Sequence, residues 1–178
     1  MLQITVPARE AWDEINQQFI NTKETTIRLE HSLVSVSKWE TEWCVPFLNK
    51  RDMTVEQIRD YVRCMTVTQN VDPNVYLNLT EKNLKEVFDY IASKKTATFF
   101  SDKEKGGRRR IITSELIYCW MVMWRIPFQC EKWPLDRLIT LIRVCEAENK
   151  QPKQGSRRSA IQRNAEIKAR NRARRNRG

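Results

Sequence analysis

The stretch Ser114-Glu-Leu-Ile-Tyr-Cys-Trp-Met-Val-Met-Trp124 carries apolar residues on almost every side of a helix. A helix that is apolar all round is typical of the centre of a protein, so we expect this one to be the central buried helix. Trp120 and Trp124 lie four residues apart on one of its faces, which favours packing of both rings in the core. Pro127 follows and ends the run, because proline cannot continue a helix. The stretch therefore predicts a mainly α protein.

Helical patterns continue on both sides of this stretch. Towards the C-terminus, apolar residues recur at helical spacing from Leu135 to Cys145. Towards the N-terminus, a helical run starts after Ser32 and stops at Pro46. Three further starts are a capping box from Thr54 to Gln57, the pair Asp72-Pro73, and a cap at Thr80. In the helix that begins at Thr80 we expect the inward residues to be Leu84, Val87, Phe88 and Ile91.

Strand patterns occupy two places in the chain. Residues 1–30 contain alternating apolar and polar runs, Leu2 to Val6 and Thr25 to Leu29, on either side of a turn near Asn16. They predict a small N-terminal antiparallel β element. Residues 96–112 place strand-like ends around a polar, glycine-containing centre, and they favour a second β-hairpin. The expected fold class is α+β, a compact helical domain with these two small β elements.

The charge divides the chain into two parts. The net charge is +10, from 32 Lys and Arg against 22 Asp and Glu. Residues 150–178 hold eleven of the bases and a single acid, so residues 1–149 are net neutral. We therefore predict a neutral globular body over 1–149 that folds alone, followed by a basic tail over 150–178. The tail is too poor in apolar residues to build a core, so it should be flexible, or helical on binding.

The tail is the clearest candidate for a binding segment. Arginine forks suit phosphate and carboxylate groups, so the tail should bind an anionic partner. It contains no aromatic residue for base stacking, and nucleic acid and acidic protein surfaces stay equal alternatives. The candidate binding residues are Arg157, Arg158, Arg163, Lys168, Arg170, Arg172, Arg174, Arg175 and Arg177.

No pattern of residues favours an enzyme. The single histidine, His31, adjoins Glu30 and Ser32, but sequence neighbours do not make a nucleophile–base pair, and local bonding near a helix start is the favoured interpretation. The acidic residues are scattered, Glu40 and Glu42 among them, which is typical of a solvated face rather than a metal site. No phosphate-binding glycine motif occurs, and we expect no cofactor.

The cysteines and two tryptophans complete the candidates. The five cysteines form no C-x-x-C pair, which argues against zinc or a disulfide framework, and Cys119 and Cys145 are expected to be buried thiols. Trp39 and Trp43 lie four residues apart on a helix with charged neighbours. They could form a partner surface, because aromatic residues dominate interface hot spots, although burial against the sheet is the favoured alternative.

Several strings resemble segments of tail-assembly-chaperone-like proteins of tailed bacteriophages. They are the residues from Leu29 to Glu40, Cys64 to Tyr76, Thr113 to Tyr118 and Leu138 to Cys145, together with the basic ending Gln162-Arg-Asn-Ala-Glu. The similarity runs over most of the chain. None of these strings is a catalytic motif, so they indicate a family without indicating a site.

This resemblance implies a non-enzymatic assembly factor. Such a protein binds the tape-measure and tail-tube proteins while the phage tail is built in the host cytoplasm, and it is absent from the mature virion. No membrane partner is expected, because no apolar stretch is long enough to span a bilayer. Self-association into a homo-oligomer is left open. The alternative function is a small nucleic-acid-binding protein that uses the arginine-rich tail, and an enzyme using His31 comes last.

Overall fold

The computed structural model divides the chain into two compact units, Met1–Ile142 and Arg143–Gly178. It describes residues 1–13, 17–50, 52–98, 100, 111–149, 164, 165, 167 and 168, with the main chain alone at 11–13 and 18–20. Within these residues, no helix combines the length and apolarity needed to cross a membrane. The predicted body of 1–149 and tail of 150–178 stay a prediction, since nothing in the structure tests whether either part folds alone.

The N-terminal residues form two small antiparallel sheets, and the strands of the second sheet lie between those of the first along the chain. Strands β1 (Leu2–Val6) and β4 (Thr25–Leu29) pair with each other, and β2 (Arg9–Asp13) and β3 (Gln18–Thr22) form the inner pair. The apolar side chains of β1 and β4 are buried and their polar neighbours are exposed, as the alternation predicts. The predicted β element is confirmed, while residue 16 of its turn lies outside the described part.

Within the described residues, six α-helices with defined bounds follow and make the fold mainly α, which confirms the predicted class. They are α1 (Leu33–Trp43), α2 (Val55–Met65), α3 (Asn74–Leu77), α4 (Glu81–Ala92), α5 (Ser114–Met123) and α6 (Leu135–Asn149). Short 3-10 helices span Phe47–Asn49 and Phe128–Lys132. The side chains of Thr54 and Thr80 accept hydrogen bonds from the amides of Gln57 and Asn83, as both caps predict. The Asp72 side chain accepts a hydrogen bond from the Asn74 amide. Helix α3 begins at Asn74, one residue after the start that the pair Asp72-Pro73 predicts.

Helix α1 lies in the core, and its packing corrects the partner surface predicted at Trp39. The Trp39 side chain is 0% exposed, and its indole N–H donates to the main-chain oxygen of Gln57 at 3.0 Å. Its ring meets those of Phe47 and Tyr61 at centroid distances of 5.2 and 6.4 Å, so α2 and a 3-10 helix cover it rather than a sheet. Trp39 is therefore unavailable to a partner.

Helix α5 is only half buried, so the prediction of a fully buried central helix is wrong. Ile117 and Met121 are buried, while Val122 and Met123 are 63% and 60% exposed. Cys119 is exposed as well, against the expectation of a buried thiol. The physical reason is that α1 packs on one face of α5, and hydropathy alone does not say which face will be covered.

Smaller corrections concern three other predictions. Phe88 on α4 is exposed, whereas Val87 is buried as expected. Trp120 and Trp124 are partly exposed rather than enclosed in the core. In the predicted hairpin, residues 96–98, 100, 111 and 112 carry no strand, and residues 101–110 lie outside the described part.

Candidate functional site

An exposed apolar surface surrounds the end of α5 in the described part of the first unit. We call it the α5 patch: Tyr118, Val122, Met123 and Phe128. Phe128, in the second 3-10 helix, is 56% exposed, and its ring centroid lies 6.3 Å from that of Tyr118. Tyr118 and Val122 are four residues apart and share a helix face. Exposed apolar groups that cluster in this way are typical of a surface that another molecule covers.

The chain reversal after α5 builds the patch. Arg125 takes the left-handed conformation with φ of 53°, and the amide of Ile126 donates to the oxygen of Met121 at 2.8 Å. This arrangement is a Schellman-type helix end. The side chain of Ile126, the residue after Arg125, is buried, as is common in this motif. The reversal brings the 3-10 helix back beside α5, where Tyr118 O–H donates to Glu131 at 2.9 Å. Burial, followed by this bond, raises the pKa of Tyr118 to about 12.

A groove with two lysines lies beside the other end of that 3-10 helix. We call it the lysine groove; it has a volume of about 450 Å³, and residues of α1, α2 and the 3-10 helix line it together with Met1 and Glu30. Apolar and hydroxyl side chains form much of its wall, and Lys38 and Lys132 supply ammonium groups. A groove of this size and composition could hold part of a polypeptide that carries carboxylates.

His31 packs inside the first unit and has long-range partners. Its Nδ1 hydrogen-bonds with the hydroxyl of Tyr61, 30 residues away, so the expectation of purely local bonding is wrong. Burial lowers the pKa of His31 to about 4, against the opposing charges of Glu30 and Asp136. The cavity beside the ring holds only about 10 Å³, roughly one small water site. His31 therefore stays neutral at physiological pH, with little room beside it for a substrate.

The Glu40 carboxylate joins three segments of the first unit. It is 7% exposed, which corrects the solvated face expected for it, and its two oxygens accept from the amides of Phe47 at 2.8 Å and Ser114 at 2.7 Å. Ser114 is the first residue of α5, so Glu40 gives a negative charge to that helix N-terminus. Both amides would otherwise lack an intrahelical partner, and the bonds hold α5 against α1.

The tail candidates fall almost entirely outside the described residues. Of the nine predicted binding residues, only Lys168 is described, and it is exposed and helical, as is its neighbour Ile167. The other eight, at 157, 158, 163, 170, 172, 174, 175 and 177, carry no structural statement. Trp43 is partly exposed, and its indole N–H donates to Asp60 at 2.9 Å. The tail and the region around Trp43 thus stay predictions.

The cysteines and the possible metal ligands of the described residues bear on metal and redox chemistry. All five cysteines are free thiols, and the described residues include no group of three or more His, Cys, Asp or Glu side chains that could hold a metal ion. Burial raises the pKa of Cys64 to about 11, so this thiol stays protonated. A protonated thiol is a poor nucleophile and a poor metal ligand.

Sequence reasoning missed both the α5 patch and the lysine groove. Tyr118, Val122 and Met123 lie in the apolar stretch that the sequence shows, but uniform apolarity does not reveal an uncovered face. The groove joins residues as far apart as Val34 and Lys132, which no local pattern connects. A comparison of the chain with family models, with curated proteins and with solved structures finds no match in any of the three. The functional argument therefore depends on the residues themselves.

Proposed function

We propose that this protein is a non-enzymatic assembly chaperone of a tailed bacteriophage, which binds the tape-measure and tail-tube proteins while the tail is built. The observation that carries the proposal is the α5 patch, where Val122, Met123 and Phe128 are exposed around the end of one helix. The sequence resemblance supplies the biological setting. In that setting the protein acts in the host cytoplasm and is absent from the mature virion.

The α5 patch has the chemistry that such a role needs. A tape-measure protein is a long helical client whose apolar stripes would aggregate if they met each other before assembly. A chaperone delays this by covering those stripes with an apolar surface of its own. Complete burial of a side chain such as Val122, Met123 or Phe128 stabilises a complex by about 1.5–3 kcal/mol. Three such groups together contribute about 4.5–9 kcal/mol, which offsets much of the cost of association, and further contacts with the client supply the rest.

The basic tail has a supporting role in this proposal. It carries the net charge of the chain, whereas the body is neutral, so the tail can attract an anionic client while the patch provides the apolar contact. Non-specific binding of nucleic acid at low salt is also expected from eleven basic residues. The nucleic-acid-binding alternative therefore needs a stronger observation than weak binding, namely sequence-selective affinity at physiological salt.

A co-expression experiment tests the proposal. The full chain is produced with the tape-measure protein of the same phage, and the soluble fraction of the client is measured. Wild type should keep the client soluble, and the double variant Val122→Ser/Phe128→Ser should lose most of that effect. The matched control is Val55→Ser/Leu77→Ser, which removes two similarly exposed apolar side chains from other helices and should behave as wild type.

A binding assay at physiological salt separates the two functions. A tail variant with Arg172, Arg174, Arg175 and Arg177 changed to Gln should weaken binding of nucleic acid while leaving solubilisation of the client largely intact. Nanomolar, sequence-selective binding of RNA or DNA by wild type, together with no effect on the client, would overturn the chaperone proposal and support the alternative.

A further inference from the structure

We propose that the lysine groove receives carboxylates from the same client segment whose apolar side chains pack on the α5 patch. The partner is then an amphipathic helix with acidic residues at one end of its apolar stripe. This inference rests on the proposed function and adds the chemistry by which the client is recognised. Its support comes from the charges in the groove, from its wall and from its position along the 3-10 helix.

The unpaired charge in the groove is positive. Among the described residues, neither Lys38 nor Lys132 has a carboxylate oxygen within 4.0 Å. The one carboxylate in the wall, that of Glu30, is engaged: Tyr90 O–H donates to it at 2.8 Å and the Met1 amino group lies 3.1 Å away. Two ammonium groups are therefore left to attract an anion. Because residues 1–149 are net neutral, this local excess is a property of the groove rather than of the whole body.

The wall of the groove favours a polypeptide over a nucleic acid. Val34, Met65 and Val67 contribute apolar surface, and Val67 is 47% exposed. None of the described residues that line the groove is aromatic, so a base has no ring on which to stack. Phosphate contacts alone would not need the apolar wall, whereas a side chain with an apolar stem and a carboxylate would contact both parts. A glutamate on a helix has this form.

The second 3-10 helix links the groove with the patch. Phe128, its first residue, belongs to the patch, and Lys132, its last, lines the groove. A rise of about 2 Å per residue separates their Cα atoms by roughly 8 Å along the axis. A client α-helix covers that distance in about five residues, at 1.5 Å each. The expected client therefore carries apolar residues three or four apart, with an acidic residue about five positions further along.

A charge-swap titration tests this inference with the full chain. The probe is a labelled 18-residue helical peptide with a leucine stripe and two glutamates at the predicted distance, and a second peptide carries lysines in place of the glutamates. Binding is followed by fluorescence anisotropy at 50 mM and at 500 mM salt. The protein variants are K38E/K132E and the milder K38Q/K132Q, each checked by circular dichroism. The control K82E/K85E makes the same change of net charge on the exposed face of α4.

Wild type should bind the acidic peptide roughly tenfold more tightly than K38E/K132E does at low salt, and the difference should shrink at high salt. K38E/K132E should prefer the lysine peptide, while K82E/K85E should behave as wild type. Equal losses in both glutamate variants would overturn the inference, because the effect would then come from net charge. If K38E/K132E lost binding of RNA but kept binding of the acidic peptide, the inference would be overturned as well.

The outcomes also separate this inference from the proposed function. If wild type solubilises the tape-measure client and Val122→Ser/Phe128→Ser does not, while the lysine variants match wild type with both peptides, only the role of the groove is wrong. If wild type fails to solubilise the client, the chaperone proposal itself is wrong. A preference of wild type for the acidic peptide would then describe an anion-binding groove without that client.

Discussion

Helices α1 and α5 pack against each other, yet they differ in which side chains they bury. Helix α1 buries a charged carboxylate, that of Glu40, together with the whole of Trp39. Helix α5 is the more apolar of the two and leaves Val122 and Met123 in solvent. A polar group can be buried when its partners are in place, and an apolar group stays outside when nothing in the chain covers it.

This difference in burial indicates that the two helices have different roles in the first unit. The polar groups of α1 have partners inside the first unit: Glu40 bonds two amides, and the Trp39 indole N–H bonds a main-chain oxygen. The side chains of Val122 and Met123 on α5 are exposed instead, and in our proposal a second molecule covers them. Helix α1 therefore lies at the centre of this unit, and α5 is the helix that faces a partner in our proposal.

The largest expected effect on stability comes from truncating Trp39, the buried tryptophan of α1. Trp39→Ala should lower the free energy of unfolding by about 3–5 kcal/mol, because it leaves a large cavity and frees the oxygen of Gln57. The measurement is urea denaturation followed by circular dichroism. Met123→Ala on α5 is the control and should cost less than 1 kcal/mol. Similar losses in the two variants would remove the distinction between the helices.

The next change tests the buried carboxylate. Glu40→Ala should cost about 3 kcal/mol, because the amides of Phe47 and Ser114 both lose a charged acceptor inside the protein. Glu42→Ala, two residues along the same helix at an exposed position, should leave stability within about 0.5 kcal/mol. Equal stability of Glu40→Ala and wild type would mean that the carboxylate does not hold α5 in place.

A titration of stability with pH tests the interior next to α1. The pKa of His31 is about 4 in the folded protein and 6.5 when unfolded, so the unfolded chain binds more protons between these values. The stability that His31 contributes is present above pH 6.5 and is lost as the pH falls towards 4, by about 3 kcal/mol. His31→Gln should reduce this slope in denaturation curves at pH 4, 5, 6 and 7. An unchanged slope in that variant would contradict the assigned burial.

The smallest expected effect is on α5 itself. Val122→Ser should change the free energy of unfolding by less than about 0.5 kcal/mol, because its side chain is already in solvent. Val36→Ser on α1 makes the same substitution at a fully buried position and should cost several times more. Denaturation curves for the pair give a direct measure of how differently the two helices are covered. A large loss for Val122→Ser would show that the α5 patch is part of the core.

The parts of the fold that depend on local signals follow from the sequence. The caps at Thr54 and Thr80 act over three residues, and the alternation in β1 and β4 acts over two, so each can be read without knowledge of the rest. The class of the fold follows from the same signals. The hairpin expected at 96–112 shows the limit of this reasoning, because strand-like composition at 96–98 gives no strand without a partner to pair with.

The candidate site depends on contacts that the sequence does not encode locally. The sequence predicts Glu40 on a solvated face because the acidic residues are scattered, whereas its partners lie 7 and 74 residues away. The position of α1 decides which face of α5 is covered, so the exposure of Val122 and Phe128 could not be deduced from their own neighbours. The lysine groove is also a product of tertiary packing, because its two ammonium groups come from α1 and from a 3-10 helix 94 positions later.

The bond between Glu40 and Ser114 also sets an order of events during synthesis. It closes a loop of 74 residues, so the acceptor leaves the ribosome well before the amide that it will bind. At about 5–20 residues per second, translation of that interval lasts about 4–15 s, which is long compared with the formation of a helix. Helix α5 therefore emerges onto an α1 that has had time to fold. The α5 patch, which a client covers in our proposal, therefore forms after α1.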